Sequence, residues 1–192
     1  MPVGLLSKLG SLVAEKPVAL TVDTDKDVVL APVSGRVVPL EELSDPVFAQ
    51  GMLGVGVGIR PEDDVAYAPV SGTVTADVKT KHALLFKAEN GAEVLLHVGL
   101  DSVALGGAGF RPLVRKGDSV LAGEAVLSFD RSLMAQRGID DTVVVTVSNT
   151  DAFSDVTVSA SGEVVAGKPL LRYLDIAGNF VLETHLLKIY IK

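Results

Sequence analysis

Between Val28 and Leu171 the chain alternates short valine-rich runs with turn residues. Most apolar runs are only a few residues long, and glycine, proline, aspartate or asparagine separates them. Runs of this kind are typical of strands, and many short strands with frequent turns indicate a sandwich or a barrel. We therefore predict one β-rich domain over residues 27–173.

The two ends of the chain lack this texture. In residues 4–15, Leu5, Leu9 and Leu12 fall near helical spacing, which predicts a short amphipathic helix. This helix either docks on the domain or makes a weak contact with a membrane surface. With a polar linker it forms an N-terminal segment, 1–26. Residues 174–192 form a C-terminal tail to which the sequence assigns no role.

An internal repeat marks two places in the β-rich region. Residues 31–37 read Ala-Pro-Val-Ser-Gly-Arg-Val, and residues 68–74 read Ala-Pro-Val-Ser-Gly-Thr-Val. Ser-Gly favours a turn, and the following valine favours a strand. Residues 159–164 carry a fainter copy. The repeat predicts two related β-units packed on each other.

Charge and composition exclude several functions. The chain has 24 acidic and 17 basic side chains, a formal net charge of -7, which argues against nucleic acid and favours basic partners. It has no cysteine, so disulfides, a thiolate nucleophile and cysteine-bound metals are excluded. We see no signal peptide and no apolar run long enough to span a bilayer, and we expect a cytoplasmic protein.

Two histidines lie in apolar runs on either side of an Asn-Gly pair, the strongest short signal for a hairpin. If Asn90 and Gly91 form a two-residue turn, His97 lies opposite Leu84. His82 then lies opposite position 99. The two imidazoles become diagonal neighbours on one face of the sheet, within reach of each other.

A pair of imidazoles on one face suits phosphoryl transfer. A neutral imidazole is a good nucleophile toward phosphorus near neutral pH. The transferring group spreads negative charge over its oxygens and needs positioned donors, of which the second imidazole supplies one. Thr80 shares the face of His82 and is placed to fix its tautomer. The alternative is a pair of half-buried histidines satisfied by backbone groups.

Six motifs follow one another along the β-rich region: residues 31–35, 45–49, 54–59, 68–72, 80–83 and 96–101. In this order they resemble the glucose-type IIA component of the bacterial phosphoenolpyruvate-dependent sugar phosphotransferase system. The resemblance runs from about Val28 to Arg172, and it implies an all-β fold, an antiparallel β-sandwich. It also implies that His97 accepts a phosphoryl group from the phosphocarrier protein HPr. His97 would pass this group to a cysteine of the IIB domain of a sugar permease. His82 would stabilise the phosphohistidine, and Thr80 would orient His82.

The resemblance also implies a docking face around the histidine pair. Its expected apolar centre consists of Val47, Phe48, Val78 and Leu95. Because partners of this kind bring arginine or lysine, we also expect an acidic rim, formed by Asp45, Glu93 and Asp101. Val78 and Leu95 stand where many members have larger aromatic residues, which predicts a shallower face. No cofactor is implied, although His82 and His97 would offer two ligands to a transient zinc ion at a partner interface. Whether regulatory targets also read the phosphorylation state stays open.

Two other classes of protein compete with this interpretation. A zinc metallopeptidase on a related scaffold would use the spacing of His97 and Asp101, but it also needs a His-x-His pair that does not follow. A lipoyl- or biotinyl-type carrier would share turns such as Lys116-Gly117-Asp118, but Lys81 is a poor candidate for the modified lysine. A plain interaction protein is the third alternative.

Overall fold

The structure is a computed structural model that describes residues 16–23 and 25–175. The predicted helix at residues 4–15 lies outside the described residues. So does nearly all of the C-terminal tail. The last strand runs to Asp175, two residues past the expected end of the domain. Within the described ranges, no helix is long and apolar enough to cross a bilayer.

Strands dominate the described part of the chain, and every strand pair that we identify is antiparallel. The strands are β1 Val28–Leu30, β2 Gly35–Pro39, β3 Val55–Pro61, β4 Val65–Tyr67, β5 Gly72–Asp77, β6 Ala83–Ala88, β7 Glu93–Val98, β8 Phe110–Pro112, β9 Ser119–Val120, β10 Ala125–Phe129, β11 Val143–Val147, β12 Phe153–Val158, β13 Glu163–Val164 and β14 Pro169–Asp175. The helices are α1 Pro46–Ala49 and α2 Arg131–Gln136, with 3-10 turns at Leu40–Glu42, Ser102–Leu105 and Thr150–Ala152.

The strands form one large sheet and two small ones. The large sheet has eight strands in the order β13-β2-β3-β11-β7-β6-β5-β9, and the small sheets are β1-β14-β12 and β4-β10-β8. Buried side chains from all three sheets, such as Val29, Leu96 and Leu127, join one apolar core. This arrangement confirms the prediction of an all-β, antiparallel β-sandwich.

The two copies of the repeat make equivalent contacts. A Cβ atom at Gly35 would lie 2.0 Å from the carbonyl oxygen of Arg60, and one at Gly72 would lie 2.1 Å from that of Lys87. Both glycines therefore let a neighbouring strand approach closely. The preceding serine also acts alike in both copies. In each, its hydroxyl accepts a hydrogen bond from a backbone N–H more than fifty residues later along the chain.

The predicted register of the histidine hairpin is wrong by one residue. β6 pairs with β7 so that His97 lies opposite Ala83, not Leu84. The loop holds three residues, Glu89 to Gly91, because Ala88 N–H donates to the carbonyl of Ala92. Gly91 has a φ of 90°, as expected for the last residue of a three-residue hairpin loop. The Asn90 side chain binds the backbone of Lys26 and of Ala92, which favours the longer loop.

The segment expected to be a polar linker lies against the domain. Leu20 N–H donates to the carbonyl of Gly123 at 2.9 Å, and the Lys16 ammonium forms an ion pair with Glu124. Cβ atoms at Gly123 and Gly167 would lie 2.9 and 2.8 Å from a methyl group of Val22. Residues 16–23 therefore form a strap that fits over two glycines.

Candidate functional site

His97 lies near the end of β7, an interior strand of the large sheet. β6 pairs with one edge of this strand, and β11 pairs with the other, where Val144 lies opposite His97. The ring is largely buried. Its Nδ1 atom is shielded from solvent and has no hydrogen-bond partner within the described part of the chain. The pairing on both edges gives His97 a fixed backbone position.

His82 meets His97 although the predicted register was wrong. The centroids of the two rings are 4.7 Å apart, and the rings are nearly perpendicular. His82 is 8% exposed and lies one residue before β6, in the turn that leads into the strand. Its side chain therefore does not follow the alternation of the strand. The prediction that the two imidazoles lie together is confirmed, by a different route from the one expected.

Thr80 contacts His82 as predicted, but from the turn between β5 and β6 and not from the shared face of a strand. Its hydroxyl oxygen is 2.9 Å from Nδ1 of His82, so this ring nitrogen already has a hydrogen-bond partner. The Phe110 ring also lies near this imidazole, with its centroid 6.3 Å from that of His82. Of the two ring nitrogens of His82, Nε2 is therefore the one left for chemistry.

Phe48 packs beneath His97 instead of facing solvent. Its ring is 3% exposed, and its centroid lies 5.0 Å from that of His97 in an edge contact. Phe48 belongs to α1, which begins with Pro46 and is capped by Asp45, whose carboxylate accepts a hydrogen bond from Val47 N–H at 2.8 Å. Phe48 therefore does not present its ring to solvent as part of the expected docking centre, and its role in partner binding stays a prediction. Its side chain joins a second apolar cluster with Leu100 and supports the imidazole from within.

The other predicted docking residues divide into two groups. Val47 and Val78 are more than a third exposed, whereas Leu95 is half-buried and packs against the Phe48 cluster. Asp101 is exposed and starts the 3-10 turn at Ser102–Leu105. Met52 follows α1 and is 68% exposed, and Val103 lies in the 3-10 turn Ser102–Leu105 and is 57% exposed; the sequence analysis named neither residue. An apolar residue in a short loop next to glycines was the signal available for both.

The surroundings keep His97 neutral. Burial lowers its pKa from the ordinary 6.5 to about 4. The nearby His82 adds to this effect, and the Asp45 carboxylate opposes it. Burial also lowers the pKa of His82, while a hydrogen bond with the backbone of Thr80 works in the opposite direction. Both imidazoles are therefore uncharged at neutral pH, the form in which a ring nitrogen has a lone pair available for attack.

The pair does not form a metal centre by itself. Within residues 16–23 and 25–175, no group of three or more histidine, aspartate or glutamate side chains is arranged to hold a metal ion. A catalytic zinc needs three protein ligands, and the site offers two imidazoles. The peptidase alternative therefore gains no support from the arrangement of these residues.

Comparison with known proteins identifies the family. The family model described as phosphoenolpyruvate-dependent sugar phosphotransferase system, EIIA 1, matches residues 27–153. The glucose-specific EIIA component of Oceanobacillus iheyensis is 42% identical over 140 residues, which cover 73% of this chain and 85% of that protein. The chain belongs to this EIIA family. It is a phosphotransferase-system component that carries a phosphoryl group as phosphohistidine, from HPr toward a IIB domain.

Other relatives of this EIIA chain extend the comparison. The N-acetylglucosamine-specific EIICBA component of Klebsiella pneumoniae is 38% identical over 155 residues, but the match covers 24% of that longer protein and 81% of this chain. The solved structure of glucose permease IIA from Mycoplasma capricolum is 34% identical, with a TM-score of 0.65 over 75% of this chain and 93% of that one. The relatives support neither the peptidase nor the lipoyl-type alternative.

The lowered pKa of His97 leads to a first prediction. We expect an NMR titration of the His97 ring to show a midpoint near pH 4 instead of 6.5. Because the folded EIIA domain binds the proton less tightly than the unfolded chain, the unfolding free energy should fall as the pH drops from 6.5 toward 4. A His97→Gln variant should lose part of this pH dependence. A ring that titrates near 6.5 would contradict the assignment of a buried, neutral imidazole.

Proposed function

We propose that His97 is the residue that becomes phosphorylated and that its Nε2 atom is the nucleophile. The observation that carries the proposal is the pair of imidazole rings 4.7 Å apart, each with Nδ1 already buried or occupied. A neutral imidazole that attacks through Nε2 keeps its proton on Nδ1. The burial that lowers the pKa of His97 keeps the Nε2 lone pair free at neutral pH.

Each transfer exchanges one bond to phosphorus for another. The Nε2 lone pair of His97 forms the new P–N bond while the bond between phosphorus and HPr breaks, and that electron pair stays on HPr. In the onward step, the cysteine thiolate of a IIB domain attacks the phosphorus. The new S–P bond forms while the P–N bond breaks, and Nε2 recovers its lone pair. Throughout, the negative charge on the phosphoryl oxygens needs nearby hydrogen-bond donors.

His82 acts as such a donor in this proposal, and Thr80 sets its tautomer. When the Thr80 hydroxyl donates to Nδ1 of His82 across 2.9 Å, the proton of the neutral ring lies on Nε2. An Nε2–H group next to His97 can then bind a phosphoryl oxygen. The burial of His82 strengthens this hydrogen bond, because few water molecules compete for the same oxygen.

The docking face, in the proposal, consists of the exposed apolar side chains on the segments around the pair: Val47, Met52, Val78 and Val103. Phe48 and Leu95 support this face from beneath. Asp45 and Asp101 supply acidic charge at its edge, which suits partners that bring arginine or lysine. One face of this kind can serve both the donor and the acceptor in turn.

The remaining expectations concern the setting of the reaction. We place the exchange in the cytoplasm, where a IIB domain of a sugar permease and HPr would meet the chain. A transient zinc ion would need a third ligand from a partner in addition to His82 and His97. Contact of residues 1–15 with a membrane surface and the use of the phosphorylation state by regulatory targets stay predictions.

Replacing the nucleophile tests the central claim. We expect His97→Ala to take up no phosphate from phosphoenolpyruvate, enzyme I and HPr, because the variant lacks the attacking nitrogen. The measurement is acid-labile phosphate on the protein, mapped by mass spectrometry. Circular dichroism should show a folded variant. Phosphate that still appears on a folded His97→Ala protein would assign the nucleophile elsewhere.

Replacing the donor should separate the two transfers. We expect His82→Ala to slow uptake from HPr mildly and onward transfer to a IIB domain severely. The lost donor is worth about 3 kcal/mol in the transition state, or roughly a hundredfold in rate. Single-turnover kinetics with isolated phosphorylated protein measure the second step alone. Equal onward rates for the variant and the parent chain would rule out the role of His82.

Two matched variants test the docking face. We expect Met52→Asp to impair uptake at every ionic strength, because it places a charge in the apolar centre. Val165→Asp is the control, since Val165 is similarly exposed, at 61%, but lies beside β13 at the far end of β2. Equal effects of Met52→Asp and Val165→Asp would place the docking face elsewhere.

Asp45→Asn keeps a side-chain cap on α1 but removes the charge. It should slow association mainly at low salt, where screening is weak.

A further inference from the structure

The position of His82 does not follow from the sheet. Ala83 is the first residue of β6 and lies opposite His97, so their side chains share one face. Successive side chains of a strand point to opposite faces, so a straight extension of β6 would turn His82 away from His97. The ring centroids are nevertheless 4.7 Å apart. Some feature of the chain before Ala83 must therefore redirect His82.

The carbonyl end of His82 is already fixed. Its carbonyl oxygen accepts a hydrogen bond from Val98 N–H at 2.8 Å, which continues the pairing of β6 with β7 by one residue. The change of direction must therefore arise on the amino side of His82, in the turn that precedes it.

That turn contains an unusual backbone conformation. Lys81 has a φ of 64°, and across the described residues only Lys81 and Asp101 combine a positive φ with a side chain. This left-handed conformation is unfavourable for a residue with a Cβ atom, and most so for a β-branched one. Lys81 N–H donates to the carbonyl of Val78 at 2.8 Å and closes a turn around Thr80. The same turn brings the Thr80 hydroxyl to Nδ1 of His82.

The side chain of Lys81 does not account for the turn. It is exposed, and its Cδ atom lies 3.6 Å from the place that a Cβ atom of Gly107 would occupy, an ordinary contact distance. The aliphatic part of the chain therefore runs over Gly107 without being enclosed. The backbone of Lys81, not its ammonium group, has the geometry that acts on His82.

We infer that Lys81 is a positioning residue for phosphoryl transfer, because its left-handed backbone turns His82 onto the face of His97 and brings Thr80 into register with the ring. The inference rests on the proposed role of His82. The backbone conformation of Lys81, and not its charge, is the property that matters for His82. Variants at this one position can change the two properties separately.

Four variants make this test. Lys81→Gly and Lys81→Asn remove the charge and accept the left-handed conformation readily, and Lys81→Ala removes the charge at a conformational cost like that of lysine. We expect all three to transfer phosphate onward to a IIB domain within about twofold of the parent rate. Lys81→Val resists a positive φ, and we expect it to lose about tenfold in onward transfer, the equivalent of ~1.4 kcal/mol.

Nitrogen NMR of the His82 ring supplies a readout that a general loss of stability would not change. The Nδ1 and Nε2 shifts, and with them the tautomer, should match the parent in Lys81→Gly and change in Lys81→Val. In a His82→Ala background, Lys81→Val should cause no further loss of onward transfer, because the residue acts through His82. If circular dichroism shows that Lys81→Val does not fold, the Gly, Asn and Ala variants still test the charge, and Lys81→Thr, which is also β-branched, replaces Lys81→Val in both measurements.

The outcomes separate two kinds of failure. If His82→Ala transfers phosphate normally, the proposed role of His82 is wrong and the inference falls with it. If His82→Ala is impaired while Lys81→Val is normal, only the inference is overturned. Impairment of Lys81→Gly, Lys81→Asn and Lys81→Ala alike would mean that the charge of Lys81 matters, which also overturns it.

Discussion

The pairing of β7 with β6 on one edge and β11 on the other holds the candidate site together. It fixes the backbone of His97 between two neighbours, so the imidazole is positioned by strands and not by a loop. The same pairing binds the carbonyl of His82 through Val98, and α1 adds Phe48 beneath the His97 ring. Reactive groups held by an interior strand keep their geometry while partners come and go.

The burial of His97 keeps its imidazole neutral, but it also makes a negative charge on the ring harder to accommodate. The apolar surroundings that hold the pKa of His97 near 4 keep the imidazole nucleophilic at neutral pH. In the proposed reaction, a phosphoryl group on the His97 ring brings negative charge to the edge of that apolar region. This charge has to be met by hydrogen-bond donors beside the ring, the role proposed for His82, because the floor made by Phe48 and Leu100 offers none.

Much of the fold and of the pair could be predicted from the sequence, because strand alternation and turn residues are local signals. Valine-rich runs, the Ala-Pro-Val-Ser-Gly repeat and the order of the motifs led to the sandwich and to His82, His97 and Thr80. The hairpin register failed because the Asn90 side chain binds the distant backbone of Lys26, a contact that the local sequence does not encode. The local sequence could not decide between a buried and an exposed Phe48 for a similar reason, since the cluster beneath it comes from separate parts of the chain. The left-handed conformation of Lys81 could not be predicted, because lysine has no preference for it.

The strap formed by residues 16–23 sets the point from which anything attached to the amino side of this domain must reach the site. Leu20 and Val22 are held over Gly123 and Gly167, so a tether would start from Lys16, beside Glu124, and not from β1. In the Klebsiella pneumoniae relative, the matched region is about a quarter of a longer chain. When donor and acceptor share one chain, the effective concentration of one near the other depends on tether length and on where the tether leaves the surface. Fixing that departure point would make the rate of intramolecular delivery a property of the domain as well as of its linker.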